Sequence, residues 1–221
     1  SALLSDYVLF RIKKMSNTPL TPEAAADITA ITQLVVRERE SRDLCLWNRM
    51  AGCFYEDSHV DISWFQGSGK VFVQASKDMY ERGMRAKHRL GPILVTQNGD
   101  KAVVTLSGII DVPEKIDGVE MTLSAHCLML YSAEKRDDVW GLMSFGAIYR
   151  RDEFVPANPG VVADIPSEKL KSFRPSYRNL SYCLELEGFE VNNDLPGEDR
   201  PETVVAIMEK LFGWAGLPVP D

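Results

Sequence analysis

Asp43 and His88 are the two residues whose types and expected positions best fit acid–base chemistry. A buried histidine can take a proton from carbon or from a phenol, and a carboxylate bonded to it fixes the tautomer and stabilises the imidazolium. Without a metal or organic cofactor, such a pair suits dehydration, dehydrohalogenation, isomerisation, aldol-type cyclisation or retro-aldol cleavage. The alternative, which periodicity alone favours, is that Asp43 caps a helix and His88 bonds a backbone group.

Two helices are predicted to position Asp43. Thr21-Pro22-Glu23 has the capping hydroxyl, the proline and the acid that are typical of a helix start. A second helix follows Ser41-Arg42-Asp43, so the carboxylate of Asp43 is expected near its start, where the helix dipole favours the ionised form. The apolar stripe of the first helix consists of Ile28, Ile31, Leu34 and Val35, and its residues 37–40 face solvent or the pocket mouth. The apolar stripe of the second helix consists of Leu44, Trp47, Ala51 and Phe54.

Strands dominate the chain after the first helices. Residues 58–64 alternate as a strand, and residues 70–84 are predicted as a third helix. Asn98-Gly99 is a strong hairpin signal, and a charged turn at residues 134–138 separates the last two strands. The long strands are predicted at residues 90–96, 101–111, 119–131 and 139–150. These elements predict an α+β fold in which helices stack on one face of a strongly curved antiparallel sheet.

The chain is predicted to have one main domain and two flanking segments. Residues 1–20 are interpreted as an N-terminal extension, of which residues 1–14 precede a natural-looking start at Met15. Residues 21–155 form the domain. Residues 156–221 begin with a linker rich in Pro, Asn and Gly and continue as a helical extension, with helices predicted at residues 177–187 and 201–214.

Composition narrows the class of protein. The 221 residues are 45% apolar and 26% charged, which is ordinary for a globular protein. The net charge of −7 and the lack of a basic stripe argue against a nucleic-acid partner. The N-terminus is too short to span a bilayer and has no basic region before it, so no membrane partner and no signal peptide are predicted. Four scattered cysteines indicate reduced thiols and a cytoplasmic location.

Two spacings within residues 20–155 resemble those of a known family. Asp43 stands eighteen residues before Asp61 of Val60-Asp61, and Lys87-His88-Arg89-Leu90-Gly91 matches a strand start that carries a pocket histidine. This part of the chain resembles the SnoaL-like branch of the NTF2-like superfamily, whose members include scytalone dehydratase, hexachlorocyclohexane dehydrochlorinase and polyketide cyclases. The resemblance implies a cone-shaped NTF2-like fold, an Asp43–His88 acid/base dyad, no cofactor and a homo-oligomer (dimer or trimer).

The chain departs from this family where the substrate is polarised. Arg42 stands in place of a tyrosine, and residues 103–112 lack the second pocket histidine. The Ser/Asn pair of scytalone dehydratase falls near Ala125 and Cys127, and the pocket Arg of the dehydrochlorinase falls near Phe145. The resemblance still implies a cofactor-independent lyase, dehydratase-like or retro-aldol-type, and the aromatic residues expected in the pocket wall favour a small hydrophobic, aromatic substrate. An isomerase or cyclase of polyketide or steroid type and a non-catalytic binding or dimerisation module remain alternatives.

The wall of the expected cavity supplies further candidates. Pockets of this kind are mostly apolar with few polar groups, and Tyr55 is a candidate additional proton donor. Arg42 either binds an acidic or phenolate oxygen or lies exposed at a helix end. His59 and Asp61 share a strand face without a third ligand, so no metal site is predicted. The predicted substrate-binding residues are Arg42, Trp47, Tyr55, Trp64, Cys127 and Phe145.

Overall fold

A computed structural model describes residues 19–220, so nearly all of the predicted N-terminal extension, residues 1–20, lies outside the described residues. Helices precede, interrupt and follow a six-stranded sheet. The helices are α1 (Pro22–Asp43), α2 (Trp47–Ala51), α3 (Gly69–Glu81), α4 (Ser167–Lys171), α5 (Arg178–Leu186) and α6 (Pro201–Trp214), with a 3₁₀ turn at Pro175–Tyr177. The strands are β1 (Phe54–Ile62), β2 (Phe65–Gly67), β3 (Lys87–Asn98), β4 (Lys101–Ile116), β5 (Val119–Arg136) and β6 (Val139–Pro156).

The sheet has the strand order β2-β1-β6-β5-β4-β3, and helices pack on it as the α+β prediction requires. The long meander is antiparallel, whereas β1 runs parallel to β6. Bulges interrupt β3 where it pairs with β4 and β6 where it pairs with β5, and a bulge adds local twist that bends a sheet. The curved sheet and its helices confirm the cone-shaped fold.

The sequence signals at the ends of the elements have their expected effects. The Thr21 hydroxyl accepts a hydrogen bond from the amide of Ala24 at 3.2 Å and caps α1. Gly99 adopts a positive φ of 56° in the predicted hairpin. The last hairpin is tighter than predicted, because Asp137 and Asp138 both adopt positive φ and form the whole turn between the end of β5 at Arg136 and the start of β6 at Val139.

The region between α1 and β1 differs from the prediction. Helix α1 continues through Asp43, the chain reverses at Cys45 with a φ of 60°, and α2 has only five residues. Asp43 therefore lies at the C-terminal end of α1, where the helix dipole opposes a negative charge. The prediction that a helix start stabilises the Asp43 carboxylate was wrong. The groups that bond to this carboxylate must stabilise its charge instead.

The C-terminal segment packs on both sides of the sheet. On the outer face, Leu211 and Phe212 of α6 cover Val103, Leu130 and Ile148. On the inner face, α5 is held by Asp152, whose carboxylate accepts hydrogen bonds from the Leu180 amide at 2.8 Å and the Asn179 side chain at 2.9 Å. Residues 156–221 were predicted as a linker and helical extension, and α5 and α6 make this extension part of the packed structure.

Arg174 is the buried ion-pair residue that fixes this segment. Its guanidinium binds Asp199 at 2.7 and 3.0 Å and donates to the carbonyl of Leu195, and its side chain is only 6% exposed. Replacing Arg174 by methionine leaves the Asp199 carboxylate without its cation, so we expect a loss of about 2–4 kcal/mol in the free energy of unfolding by urea. Arg200→Met, which removes an exposed arginine 3.7 Å from Asp194, should cost less than about 1 kcal/mol; equal losses would contradict this account.

Candidate active site

The elements α1 and β3 bring Asp43 and His88 into direct contact. The Asp43 Oδ1 atom lies 2.6 Å from His88 Nδ1, and Oδ2 accepts a hydrogen bond from the His88 backbone amide at 2.7 Å. The Lys87 ammonium also donates to the backbone carbonyl of Asp43. Because Nδ1 donates to the carboxylate, the neutral ring carries its lone pair on Nε2.

Burial and charge give the two groups the protonation states that a base and its partner need. Burial lowers the pKa of His88 below its ordinary value, and the charge of Arg39 lowers it further, although the bond to Asp43 acts in the opposite direction. Burial raises the pKa of Asp43, but its bonds to His88 and the charge of Arg39 prevail, so the pKa lies below the ordinary value. At neutral pH the pair is a carboxylate and a neutral imidazole.

The dyad stands at a mainly apolar cavity inside the cone. His88 forms part of the wall, while Asp43 supports it from behind. The cavity is small, with a volume of about 50 Å³, which is room for a few waters. Met79 and Met84 lie in the wall, and methionine side chains adapt easily to a larger occupant. The other lining residues are Arg39, Arg42, Ile62, Ser63, Trp64, Phe72, Ala86, Ile110, Val112, Cys127, Met129, Phe145, Ala147, Tyr149, Leu180 and Leu184.

Four of the six predicted substrate-binding residues line this cavity: Arg42, Trp64, Cys127 and Phe145. Arg42 is 3% exposed, so the alternative of an exposed helix end was wrong. Burial raises the pKa of the Cys127 thiol to about 12, which leaves it as a neutral wall group. Alternation along β5 turns His126 to the opposite side of the sheet, where it lies 3.4 Å from Glu153.

Trp47 and Tyr55 are not among the lining residues, contrary to the prediction. The ring of Trp47, the first residue of α2, packs edge-on against Tyr80 with the ring centres 6.0 Å apart. The Tyr55 hydroxyl donates to the carbonyl of Val139 at 2.6 Å, and its ring lies under the guanidinium of Arg136. Tyr55 is on the first part of β1, which precedes the strand's bulge, and this places its hydroxyl at the far hairpin.

A buried ion pair next to the dyad was missed in the sequence. Glu38 is fully buried and binds the guanidinium of Arg39, which is 3% exposed. Burial alone would lower the pKa of Arg39, but the charge of Glu38 outweighs it and raises the pKa. The Arg39 Nη1 atom lies 3.4 Å from His88 Nε2, and its Cζ atom lies 4.5 Å from the centre of the Phe145 ring. Residues 37–40 therefore divide between solvent and cavity rather than all facing one way.

A second cavity, of about 510 Å³, opens on the outer side of the sheet. Arg89, Arg150, Arg151 and His126 line it, and neither Asp43 nor His88 does. Within the described residues, no group of three or more His, Cys, Asp or Glu side chains is placed to hold a metal ion. Among the helices of residues 19–220, none has both the length and the apolar character needed to cross a membrane. None of the four cysteines forms a disulfide.

Sequence comparison with known proteins assigns this chain to a family. The sequence profile of the SnoaL-like domain matches residues 23–145. A PEP2-like protein of the fungus Fusarium vanettenii is 33% identical over 166 residues, which cover 72% of this chain and 70% of that protein. Pea pathogenicity protein 2 of the same fungus is 29% identical over 186 residues, or 79% and 78% of the two chains. The chain belongs to the SnoaL-like domain family.

Solved structures agree on the fold. The hexachlorocyclohexane dehydrochlorinase of type 3 from Novosphingobium barchaimii superposes with a TM-score of 0.50 over 64% of this chain and 96% of that chain, at 16% sequence identity. A protein of unknown function from Mycobacterium tuberculosis superposes with the same score at 18% identity, over 67% of this chain and 86% of that one. At these identities the likeness shows a shared NTF2-like fold and nothing further.

Proposed function

We propose that this protein is a cofactor-independent lyase in which His88 is the general base, while Asp43 orients the imidazole and stabilises its protonated form. The observation that carries the proposal is the 2.6 Å contact between Asp43 and His88 Nδ1, which leaves Nε2 as the acceptor beside the cavity. Its partner there is Arg39 Nη1 at 3.4 Å, a long hydrogen bond that a bound substrate would replace. His88 takes a proton from the substrate, Asp43 stabilises the imidazolium, and the same proton is delivered to the leaving oxygen or to the carbanion. Dehydratase-like elimination and retro-aldol-type cleavage both fit this sequence of steps.

The cavity supports a small, hydrophobic and aromatic substrate. Trp64, Phe72 and Phe145 supply aromatic surface to its wall, and such surface favours flat apolar molecules. The fold likeness to a dehydrochlorinase is consistent with elimination chemistry. Isomerisation or cyclisation by the same dyad is the second candidate, since it needs the same proton transfer without departure of a group.

The homo-oligomer expected from the resemblance belongs to the same proposal. Helix α6 covers one part of the outer sheet face, so two copies that pair face to face would use the part that it leaves open. Leu94, on β3, is 64% exposed and is a candidate for that contact. The cytoplasmic location also stays a prediction, based on the reduced thiols.

A ligand screen followed by product analysis tests the lyase. Wild type and the Asp43→Asn/His88→Gln double variant are compared by thermal shift against aromatic alcohols, diaryl compounds, steroids and polyketide-like phenols, because a bound ligand raises the melting temperature by mass action. Each compound that shifts wild type is then incubated with both proteins and analysed by mass spectrometry. A compound that wild type converts and the folded double variant leaves intact supports the enzyme, and the product distinguishes elimination from isomerisation. Equal binding without conversion by either protein supports the binding module instead.

The pH dependence of turnover follows from the lowered pKa of His88. The base must be neutral, and its pKa in the fold lies below the ordinary 6.5, so the acid limb of kcat/KM for the substrate should have its midpoint below pH 6.5. The rate constant falls along this limb because the free imidazole becomes protonated. An acid limb whose midpoint lies above 6.5 would show that a different group is the base.

A further inference from the structure

Arg42 is a buried cation that forms no direct ion pair with a carboxylate of the described residues. Its side chain is 3% exposed and lines the cavity. Among residues 19–220, no carboxylate oxygen lies within 4.0 Å of its nitrogen atoms, and its hydrogen bond is to the Met79 sulfur at 3.7 Å. The ring of Trp47 lies 5.8 Å from its Cζ atom. Sulfur and an aromatic face are weak partners for a guanidinium, which strongly prefers a carboxylate or phosphate.

The other charges at the cavity are committed to partners. Glu38 binds Arg39, and both oxygens of Asp43 accept hydrogen bonds from His88. Burial, together with the charge of Arg39, lowers the pKa of Arg42 to about 10, although the more distant charges of Asp43 and Glu38 act in the opposite direction. A desolvated and unmatched cation is costly, and a ligand that brings a negative charge into the cavity would remove that cost.

The position of Arg42 suits a ligand that also meets the dyad. Arg42 precedes Asp43 on α1, and its charge is close enough to contribute to the lowered pKa of His88. The rest of the cavity wall is mostly apolar and aromatic, with Trp64 and Phe145 among its members. A ligand whose anionic group binds Arg42 would therefore place its apolar part against these rings and within reach of His88 Nε2.

We propose that the cavity binds a small organic carboxylate, with the carboxylate on Arg42 and an apolar, preferably aromatic, body against the rings of Trp64 and Phe145. The proposal rests on the function argued above, because it names the class of substrate for that same site. It changes the expected substrate from a neutral hydrophobic molecule to a monoanion. The carboxylate anchors the molecule, and its remaining part is presented to His88.

The test compares each carboxylate with its neutral amide by isothermal titration calorimetry. The pairs are isobutyrate and isobutyramide, benzoate and benzamide, and phenylacetate and phenylacetamide, which differ in charge and hardly in shape. At least one carboxylate should bind wild type more tightly than its amide by roughly 10–100-fold, as expected for charge-assisted hydrogen bonds. If no carboxylate is preferred over its amide, the proposal is wrong.

Variants connect the preference to Arg42. Arg42→Gln and Arg42→Met should abolish it, and their melting temperatures without ligand should equal or exceed that of wild type, since an unmatched buried charge is removed. Arg37→Gln, at an exposed position on the same helix, is the matched control and should keep the preference. A preference that survives in folded Arg42→Gln would overturn the proposal.

One further variant separates this proposal from the lyase. His88→Gln should keep the preference for the carboxylate, because recognition of the anion does not need the base. A preference present in both proteins, with no turnover of any carboxylate by wild type, would leave the anion site standing and contradict the lyase. Turnover of neutral compounds, without any preference for carboxylates, would support the lyase and contradict the anion site.

Discussion

Replacing His88 by glutamine is expected to lower kcat/KM for the substrate by roughly 10²–10⁴-fold, the usual contribution of a positioned general base. Glutamine has no group that accepts a proton at neutral pH, yet its amide can still bond to the Asp43 carboxylate, so the fold should survive. Asp43→Asn should have an effect of similar size on kcat, because an amide does not stabilise the imidazolium and can hold the ring in the wrong tautomer. Steady-state kinetics on the compound identified by the screen gives both values.

The matched control for this prediction is His59→Gln. His59 is an exposed histidine on β1, outside the cavity, and its replacement should leave kcat/KM within about twofold of wild type. Because the two residues of the dyad act as a unit, the double variant should lose little more than the more damaging single variant. Additive losses from the two substitutions would indicate that Asp43 and His88 act separately, and unchanged kinetics in His88→Gln would remove it from the mechanism.

Replacing Glu38 by glutamine is expected to cost about 3–5 kcal/mol in the free energy of unfolding, which is a large part of the stability of a typical domain. The substitution leaves the guanidinium of Arg39 buried without its counter-ion, since Glu38 is fully buried and Arg39 is 3% exposed. It also weakens the bond from the Tyr131 hydroxyl, which donates to Glu38 at 3.2 Å. Urea denaturation followed by circular dichroism measures the loss.

The same helix provides the control for the buried ion pair. Glu40 pairs with Arg49 at the surface, where the two side chains are 49% and 42% exposed, so Glu40→Gln should cost less than about 1 kcal/mol. The double variant Glu38→Met/Arg39→Met should recover most of the stability lost by Glu38→Gln, because replacing both charges removes the desolvation cost. A Glu38→Gln protein as stable as Glu40→Gln would mean that water or rearrangement satisfies Arg39.

The fold could be predicted from local signals because each of them acts on its own stretch of chain. The cap at Thr21, the hairpin at Gly99 and the helix at Pro201–Trp214 lie where the sequence indicates. The prediction failed after Asp43, where five helical residues in α2 are too few to show a period of their own. The direction of β1 could not be predicted locally either, since it depends on pairing with β6, which lies some eighty residues later in the chain.

The contact between Asp43 and His88 was predictable because their two spacings resemble those of a known family, whereas the buried charges beside them were not recognised. A signal for them does exist in α1. The apolar stripe of Ile31, Leu34 and Val35 continues at helical spacing into Glu38, Arg39 and Arg42, and all six residues are buried. Charged residues that continue an apolar stripe therefore indicated a polar site inside the core. The sequence could not predict that Leu180 and Leu184 line the cavity, because they belong to the C-terminal segment and reach it only through the packing of the fold.

The most direct test of the central claim is mass spectrometry of a bound compound after incubation in D₂O with wild type and with the Asp43→Asn/His88→Gln double variant. The measurement detects proton abstraction whether or not a group departs, so it covers elimination, isomerisation and simple exchange alike. If His88 is the base, wild type should return product or deuterium-labelled compound, and the folded double variant should return the compound unlabelled and intact. Equal labelling or conversion by the two proteins would contradict the assignment of Asp43 and His88 as the acid/base dyad.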